Sequence, residues 1–126
     1  MMHPPRLSKR ELRIMEALWK HGACSVREIQ ETLPEKERVA YTTVQTMVAR
    51  LEAKQAVRKV KKIGNAHIFE ATLTQSVAQG RLVDDVLRFF GGRVAPLMSH
   101  LVATGRLTLH DVEEARAAIK KHQRQD

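Results

Sequence analysis

The chain contains little cysteine, few aromatic residues and no long apolar run. Its single cysteine, Cys24, excludes a disulfide within the chain and favours a reducing compartment. No apolar run approaches the roughly 20 residues that span a bilayer, and the N-terminal MMHPPRLSKR lacks the apolar segment of a secretory signal. Aromatic residues make up 4% of the chain, which is typical of helices packed with aliphatic side chains. We therefore predict a cytoplasmic protein without membrane insertion.

The sequence also lacks the signatures of an enzyme or a metal site. It contains neither G-x-x-x-x-G-K-[ST] nor G-x-S-x-G, and its adjacent acids at 84–85 and 113–114 point apart on helices. The six histidines are scattered, and no two of them form an H-x₃₋₅-H pair. We predict no catalytic residue, no metal ligand and no cofactor. Cys24 is expected to be a small buried apolar residue, and a redox role is the alternative.

Basic residues outnumber acidic ones, and the formal net charge is +8. Such a balance predicts a polyanionic partner, with nucleic acid the first choice and an anionic membrane surface the second. The excess is greatest in residues 50–62, where six bases accompany a single acid, Glu52. A nucleic-acid contact is therefore expected in or beside this segment.

Two capping boxes, Ser8 with Glu11 and Ser25 with Glu28, indicate where the first two helices begin. Apolar residues at helical spacing predict the other helices. The expected helices cover about 9–20, 26–33, 41–54, 75–90 and 93–103, with a last helix after Thr108.

After the third helix the apolar period changes to two, which predicts a β-hairpin of about 57–61 paired with 67–71. The tetrapeptide Ile63-Gly64-Asn65-Ala66 is expected to form its turn. The residues predicted to share one face of the first strand are Val57, Lys59, Lys61 and Ile63.

Three helices followed by a basic hairpin are the order of elements in a winged helix. We predict a mainly α fold with a small β-hairpin wing, in which the second and third helices form a helix-turn-helix. Residues 1–73 are expected to form this winged-helix DNA-binding domain, and residues 74–126 a helical dimerisation domain.

The face of the third helix that is predicted to be exposed to solvent carries threonine, glutamine and arginine. Such side chains hydrogen-bond to base edges or contact thymine methyl groups in a major groove, and the wing lysines suit the phosphates. The predicted base-reading residues are Thr42, Thr43, Gln45 and Thr46. The predicted phosphate contacts are Tyr41, Arg50, Lys54, Arg58, Lys59, Lys61 and Lys62. Three alternatives stay open: threonines that only cap the helix, a tyrosine that only packs, and lysines that protect an edge strand from aggregation.

These residues, in this order, carry a resemblance to a known family. Its parts are Leu18-Trp19, SVREI at 25–29, YTTVQT at 41–46, Arg50-Leu51, the basic wing and FFGG at 89–92. From about Leu7 to Ile119, the chain resembles the penicillinase repressor family, the BlaI/MecI/CopY group of bacterial repressors.

The resemblance implies a homodimer that binds double-stranded DNA at a dyad operator in a promoter. It assigns DNA binding to the N-terminal winged helix and dimerisation to the C-terminal helices. Residues 74–126 agree with this, because they are apolar, nearly neutral and too few to bury their apolar stripes well alone. The residues predicted for the dimer interface are Val86, Phe89, Phe90, Val94, Leu97, Met98, Leu101, Leu109, Val112 and Ile119.

Two departures from the family leave the inducing signal open. β-Lactam-responsive members are cut by a membrane sensor-linked protease at an Asn-Phe bond, and the corresponding pair here is His100-Leu101. Copper-responsive members carry a cysteine-rich motif near the C-terminus, and this chain has no cysteine after Cys24. If a sensor-protease system is a partner, the helix at 93–103 is the expected cleavage region.

The leading prediction is a sequence-specific transcriptional repressor, released by a signal that the sequence does not identify. The alternatives are a non-specific architectural DNA binder and a winged-helix module that binds protein. The first would depend on lysine contacts and not on Thr43 or Gln45. The second would need an acidic or apolar face on the third helix.

Overall fold

The computed structural model describes residues 4–125, and the chain divides into two compact units, Met1–Leu82 and Val83–Asp126. The helices are α1 (Lys9–His21), α2 (Val26–Thr32), α3 (Tyr41–Ala53), α4 (Gln75–Phe89), α5 (Val94–Ala103) and α6 (Leu109–Gln125). The strands are β1 (Cys24–Ser25), β2 (Val57–Ile63) and β3 (Ala66–Ala71), and Glu35–Glu37 form a short 3₁₀ turn. The predicted mainly α architecture with a small hairpin is confirmed.

The expected helix ends agree with the structure to within one residue for α1 to α5. The two compact units divide within α4, whereas the predicted domain boundary at 73–74 lies just before that helix. The assignment of DNA binding to the first part of the chain and dimerisation to the second stays a prediction.

Capping boxes begin α1 and α2, as the sequence predicted. The Glu11 N–H donates to Ser8 Oγ over 3.1 Å, and the Ser8 N–H donates to Glu11 Oε1 over 2.8 Å. Ser25 and Glu28 make the same two bonds in α2, at 3.2 and 2.9 Å. α1 ends at Gly22, whose φ of 80° is a conformation that glycine adopts without strain. Local sequence therefore sets these three helix ends.

The core of the first unit lies among α1, α2, α3 and one face of the sheet. Its most deeply buried large side chains are Ile14, Met15, Ile29, Val44, Val48 and Leu51. Trp19 packs at the edge of this core, and its indole N–H donates to the Leu73 carbonyl over 2.9 Å. α3 is thus held by one apolar face, and its opposite face is exposed.

The three strands form an antiparallel sheet in the order β1-β3-β2. β1, which the sequence did not predict, pairs Cys24 with Phe69 and Ser25 with Ile68. The hairpin strands are also longer than expected, since β2 continues to Ile63. Lys61 lies in the strand as predicted, and Lys62, which follows the predicted end of the strand, lies within β2 as well.

A β-bulge interrupts the alternation of β2. Lys59 pairs with Phe69 and Lys61 pairs with Ile68, so Val60 is an extra residue without a partner on β3. Because neighbouring residues on β3 point to opposite faces, Lys59 and Lys61 do so too. The prediction that they share one face is wrong, and the extra residue is the reason.

The same register sorts the wing bases into two groups. Lys62 pairs with His67, which lies two residues from Phe69 and so on the same face of β3. Lys59, Lys62 and His67 therefore share the face that carries Phe69 into the core. Arg58 and Lys61 lie on the opposite face.

α3 ends in a Schellman motif. The Ala56 N–H donates to the Leu51 carbonyl over 2.9 Å, and the Gln55 N–H donates to the Glu52 carbonyl over 3.0 Å. Gln55 has a φ of 63°, a left-handed conformation in which glycine is the usual residue. The chain turns here and enters β2 two residues later, so this motif sets the direction in which the wing leaves α3.

The second unit is built differently. None of the described residues in 83–125 is buried, and the most exposed apolar side chains are Phe89 at 88% and Leu109 at 83%. Thr108 begins α6, because its hydroxyl accepts the Asp111 N–H over 3.1 Å. No helix among residues 4–125 is long and apolar enough to cross a membrane.

Candidate nucleic-acid interface

The exposed face of α3 carries the predicted base-reading residues. Thr42, Gln45 and Thr46 are exposed, and Thr43 is half-buried, whereas the opposite face of the helix lies in the core. α3 begins after Ala40 without a side-chain cap, so the capping explanation for the threonines is wrong. The four polar side chains are therefore not needed to start the helix.

Thr46 differs from the other three residues in its hydrogen bonding. Its hydroxyl donates to the Thr42 carbonyl one turn earlier, over 3.0 Å. Because a hydroxyl has one hydrogen, Thr46 has its oxygen lone pairs and its methyl group left for a ligand. In a major groove these groups suit an amino group or a thymine methyl.

Tyr41 lies at the first turn of α3 and contacts α2. The Arg27 guanidinium stands 5.7 Å from the centre of the Tyr41 ring, which is a cation–π distance. Tyr41 is still 38% exposed. Tyr41 therefore packs against the Arg27 side chain and also borders the exposed surface. The environment fits both a packing residue and a predicted phosphate contact.

A groove of about 360 Å³ runs between α3, the start of α2 and the wing. Its polar lining comes from Ser25, Arg27, Tyr41, Gln45, Glu52, Lys59, Asn65 and His67. Three of these side chains are bases or histidine, and one is an acid. The groove joins a predicted base reader, Gln45, to a predicted phosphate contact, Lys59, on one surface.

Two further residues that line this groove, Arg27 and His67, were not predicted as site residues. The only signal for Arg27 was a base two residues after the cap Ser25. His67 could be placed only by the pairing with Lys62, which depends on the bulge. Both are exposed and can face a polyanion together with Lys59.

Four of the predicted phosphate contacts are exposed bases: Arg50, Lys59, Lys61 and Lys62. No carboxylate among residues 4–125 forms an ion pair with any of them. Their charge is therefore not neutralised within this part of the chain.

The other two basic residues among the predicted phosphate contacts, Lys54 and Arg58, form ion pairs with acidic residues. Lys54 Nζ lies 2.7 Å from Glu11 Oε1, and this carboxylate is buried. Arg58 pairs with Glu70 across the hairpin, with its side chain exposed. These pairs disfavour Lys54 as a phosphate contact and weaken the case for Arg58.

The residues predicted for the dimer interface lie on α4, α5 and α6, except Phe90, which directly follows α4. Val86, Phe89, Val94, Met98, Leu109, Val112 and Ile119 are exposed, and Phe90, Leu97 and Leu101 are half-buried. Met98, Val112 and Ile119 line an apolar groove of about 490 Å³ between α5 and α6. Seven of the ten predicted interface residues are therefore exposed apolar side chains.

The predicted cleavage pair lies in the second half of α5. His100 is exposed, with its ring 5.7 Å from that of Phe90, and Leu101 is half-buried. The bond between them is within a helix, which must open locally before a protease can bind it in extended form.

Cys24 has the surroundings of a structural thiol. It is 4% exposed, and its Sγ donates to the Gly22 carbonyl over 3.3 Å. Burial and, to a smaller extent, the nearby Glu28 carboxylate raise the pKa of the thiol. Among residues 4–125, no three histidine, cysteine or acidic side chains are grouped so that they could hold a metal ion.

Comparisons with known proteins point to one family. Residues 7–121 match the model of the family described as penicillinase repressor. The penicillinase repressor of Bacillus licheniformis is 23% identical over 119 residues, which cover 94% of this chain and 92% of that protein.

Two solved structures are similar to this chain. The DNA-binding domain of the repressor BlaI, in solution, is 28% identical with a TM-score of 0.52, over 61% of this chain and 93% of that one. The monomeric form of Bacillus licheniformis BlaI, in complex with the blaP half-operator, has the same identity and coverage and a TM-score of 0.50. The predicted winged-helix fold is therefore confirmed.

Proposed function

Because the chain belongs to the penicillinase repressor family, we propose that it is a sequence-specific transcriptional repressor that acts as a homodimer on a dyad operator. The family is one of DNA-binding repressors, which confirms the prediction of a regulator and not an enzyme. The homodimer, the operator symmetry and the contacts of individual residues belong to the proposal.

The observation that carries the proposal is the exposed face of α3 beside wing lysines that form no ion pair with any carboxylate of residues 4–125. Thr42, Gln45 and Thr46 face solvent, and no residue of this face is needed as a cap. Their hydrogen-bonding groups match base edges in a major groove. We propose that this face reads bases while Arg50, Lys59 and Lys62 hold phosphates.

The groove between α3 and the wing is the proposed seat of the DNA backbone. Arg27, Lys59 and His67 line it, and Gln45 lies on the same surface at the side of α3. A backbone phosphate seated there would place α3 beside the base edges of the same strand. Phosphate contacts fix the register in such interfaces, and base contacts supply the sequence preference.

The exposure of the second unit supports the homodimer. No described side chain in 83–125 is buried, although α4, α5 and α6 carry apolar faces. A second copy would cover these faces and place two winged helices roughly 34–36 Å apart on a dyad operator. The relative solved with DNA is a monomeric form on a half-operator, which fits one protomer per half-site.

The test is a binding titration against the DNA upstream of the protein's own gene, with scrambled DNA as competitor, at two salt concentrations. We expect wild type to prefer the native fragment, and we expect Thr43→Ala/Gln45→Ala to lose that preference. Each missing base contact should cost about 1–3 kcal/mol of discrimination.

The same titration separates the alternatives. An architectural binder would bind both DNAs alike and would tolerate the double substitution, with affinity set by salt alone. A protein-binding module would bind neither DNA. The signal that releases the repressor from its operator, including proteolysis within α5, stays a prediction without a named inducer, as does the cytoplasmic location.

A further inference from the structure

An ion pair ties the C-terminal end of α3 to the start of α1. Lys54, the residue after α3, places its Nζ 2.7 Å from Glu11 Oε1 and 2.9 Å from the Arg6 carbonyl oxygen. The two charged residues are 43 positions apart in sequence. Glu11 is 4% exposed, so this is a buried carboxylate held by a half-exposed lysine.

Lys54 helps to stabilise the charged form of Glu11. Burial by itself would raise the pKa of this carboxyl, but hydrogen bonds from Lys54 and from Ser8 outweigh burial and lower the pKa. The second oxygen, Oε2, is buried without a hydrogen-bond partner among the described residues. Removal of Lys54 would therefore leave a buried charge without its counter-charge, which proteins tolerate poorly.

The position of this pair matters because it is at the junction of α3 and the wing. Gln55 takes the left-handed conformation directly after Lys54, and β2 begins at Val57. At the other end, α3 begins without a side-chain cap. The Lys54–Glu11 pair is thus a polar attachment at the end of the helix from which the wing departs.

A small movement at this end would misplace the base-reading side chains. α3 has 13 residues, and at about 1.5 Å per residue it is roughly 20 Å long. A rotation of about 3° over that length moves the far end by about 1 Å, which exceeds the tolerance of a hydrogen bond to a base edge.

We propose that Lys54 is a positioning residue for DNA reading and not a phosphate contact: it fixes the C-terminal end of α3 on α1 through the buried Glu11. The inference rests on the proposed function, because it concerns how the α3 face is held against an operator. It reassigns a lysine that lies within the most basic segment of the chain.

The test compares Lys54→Met, Glu11→Gln and Arg50→Met with wild type. Operator and scrambled DNA are each titrated over a range of salt concentrations, well below the unfolding temperature, and the active fraction of each protein is measured. Glu11→Gln is the matched partner variant, because glutamine at this position still completes the capping box. It remains informative if Lys54→Met does not fold.

We expect Lys54→Met and Glu11→Gln to lower the ratio of operator affinity to scrambled affinity about tenfold or more. We expect the slope of log affinity against log salt to stay at the wild-type value for both. Arg50→Met should instead reduce that slope by about 0.9 for each protomer, as expected for a lost phosphate contact.

Three results would overturn the inference. If Lys54→Met reduces the salt slope as Arg50→Met does and keeps the affinity ratio, Lys54 contacts phosphate. If ratio and slope both match wild type after correction for the active fraction, the pair serves stability only. If wild type itself shows no preference for the operator, the proposed function fails and this role fails with it.

Discussion

Replacement of Lys59 and Lys61 by alanine, one at a time, tests how the wing meets DNA. The two lysines are separated by one residue, are both exposed and form no ion pair within residues 4–125. In a regular strand they would share a face. The bulge at Val60 places Lys59 on the side of the groove and Lys61 on the opposite side. The pair is therefore a matched comparison in which composition and charge are the same.

The size of the effect follows from counterion release. Each phosphate contact contributes about 0.9 to the slope of log affinity against log salt. Loss of one contact at 0.1 M salt therefore lowers affinity about eightfold for each protomer, with 1 M salt as the reference. We expect Lys59→Ala to show this loss and Lys61→Ala to show clearly less.

The assay is a fluorescence-anisotropy titration of labelled operator DNA at several salt concentrations, with thermal unfolding of each variant as the control for folding. Equal slope changes for both variants would refute the reasoning that the bulge selects which lysine faces the backbone. A larger change for Lys61→Ala would place the DNA on the other face of the wing.

Four further outcomes are expected. Gln55→Gly relieves a left-handed conformation that costs a non-glycine residue about 1–2 kcal/mol, partly offset by the entropy of glycine in the unfolded chain, so its thermal midpoint should rise by a few degrees. The pKa of Glu11 is lowered in the folded protein, so its stabilising effect is present above the unfolded pKa and is lost as pH falls through the folded pKa; denaturant unfolding between neutral and acid pH should show a shallower acid decline for Glu11→Gln. Phe89→Glu should shift sedimentation toward a monomer at concentrations where wild type and Val102→Glu, an exposed apolar control outside the predicted interface, stay dimeric. Cys24 should react with a thiol reagent far more slowly in the native protein than in denaturant, because it is buried and the pKa of its thiol is raised.

Each of these outcomes has a contrary result. A lower midpoint for the glycine variant would mean that the Gln55 side chain makes a contact worth more than the strain. An unchanged acid decline would mean that Glu11 is not the group that titrates. Equal dissociation by the phenylalanine and valine variants would remove the predicted interface, and rapid native labelling would show that Cys24 is accessible.

The elements that local sequence determines were predictable. Each capping box, Ser8 with Glu11 and Ser25 with Glu28, satisfies two backbone groups within four residues. A short segment of sequence therefore determines where α1 and α2 begin. The change of apolar period after α3 likewise depends only on neighbours. The exposed face of α3 followed from the same pattern, since Val44 and Leu51 had to be buried.

Features that depend on distant pairing were not predictable. The bulge at Val60 is defined by which β3 residue each lysine meets, and alternation in sequence contains no sign of it. The short β1 forms only because β3 offers a free edge at Ile68 and Phe69. Lys54 looked like its basic neighbours, and only the fold brings it to a carboxylate 43 residues away.

Trp19 is the only tryptophan of the chain, and its indole N–H donates to the Leu73 carbonyl, which also belongs to the first unit. Intrinsic fluorescence excited at the indole band therefore reports on the first unit alone. Far-ultraviolet circular dichroism is dominated by helices in both units. Two unlabelled optical signals thus distinguish a concerted transition from a sequential one, because coincident midpoints indicate that the units melt together.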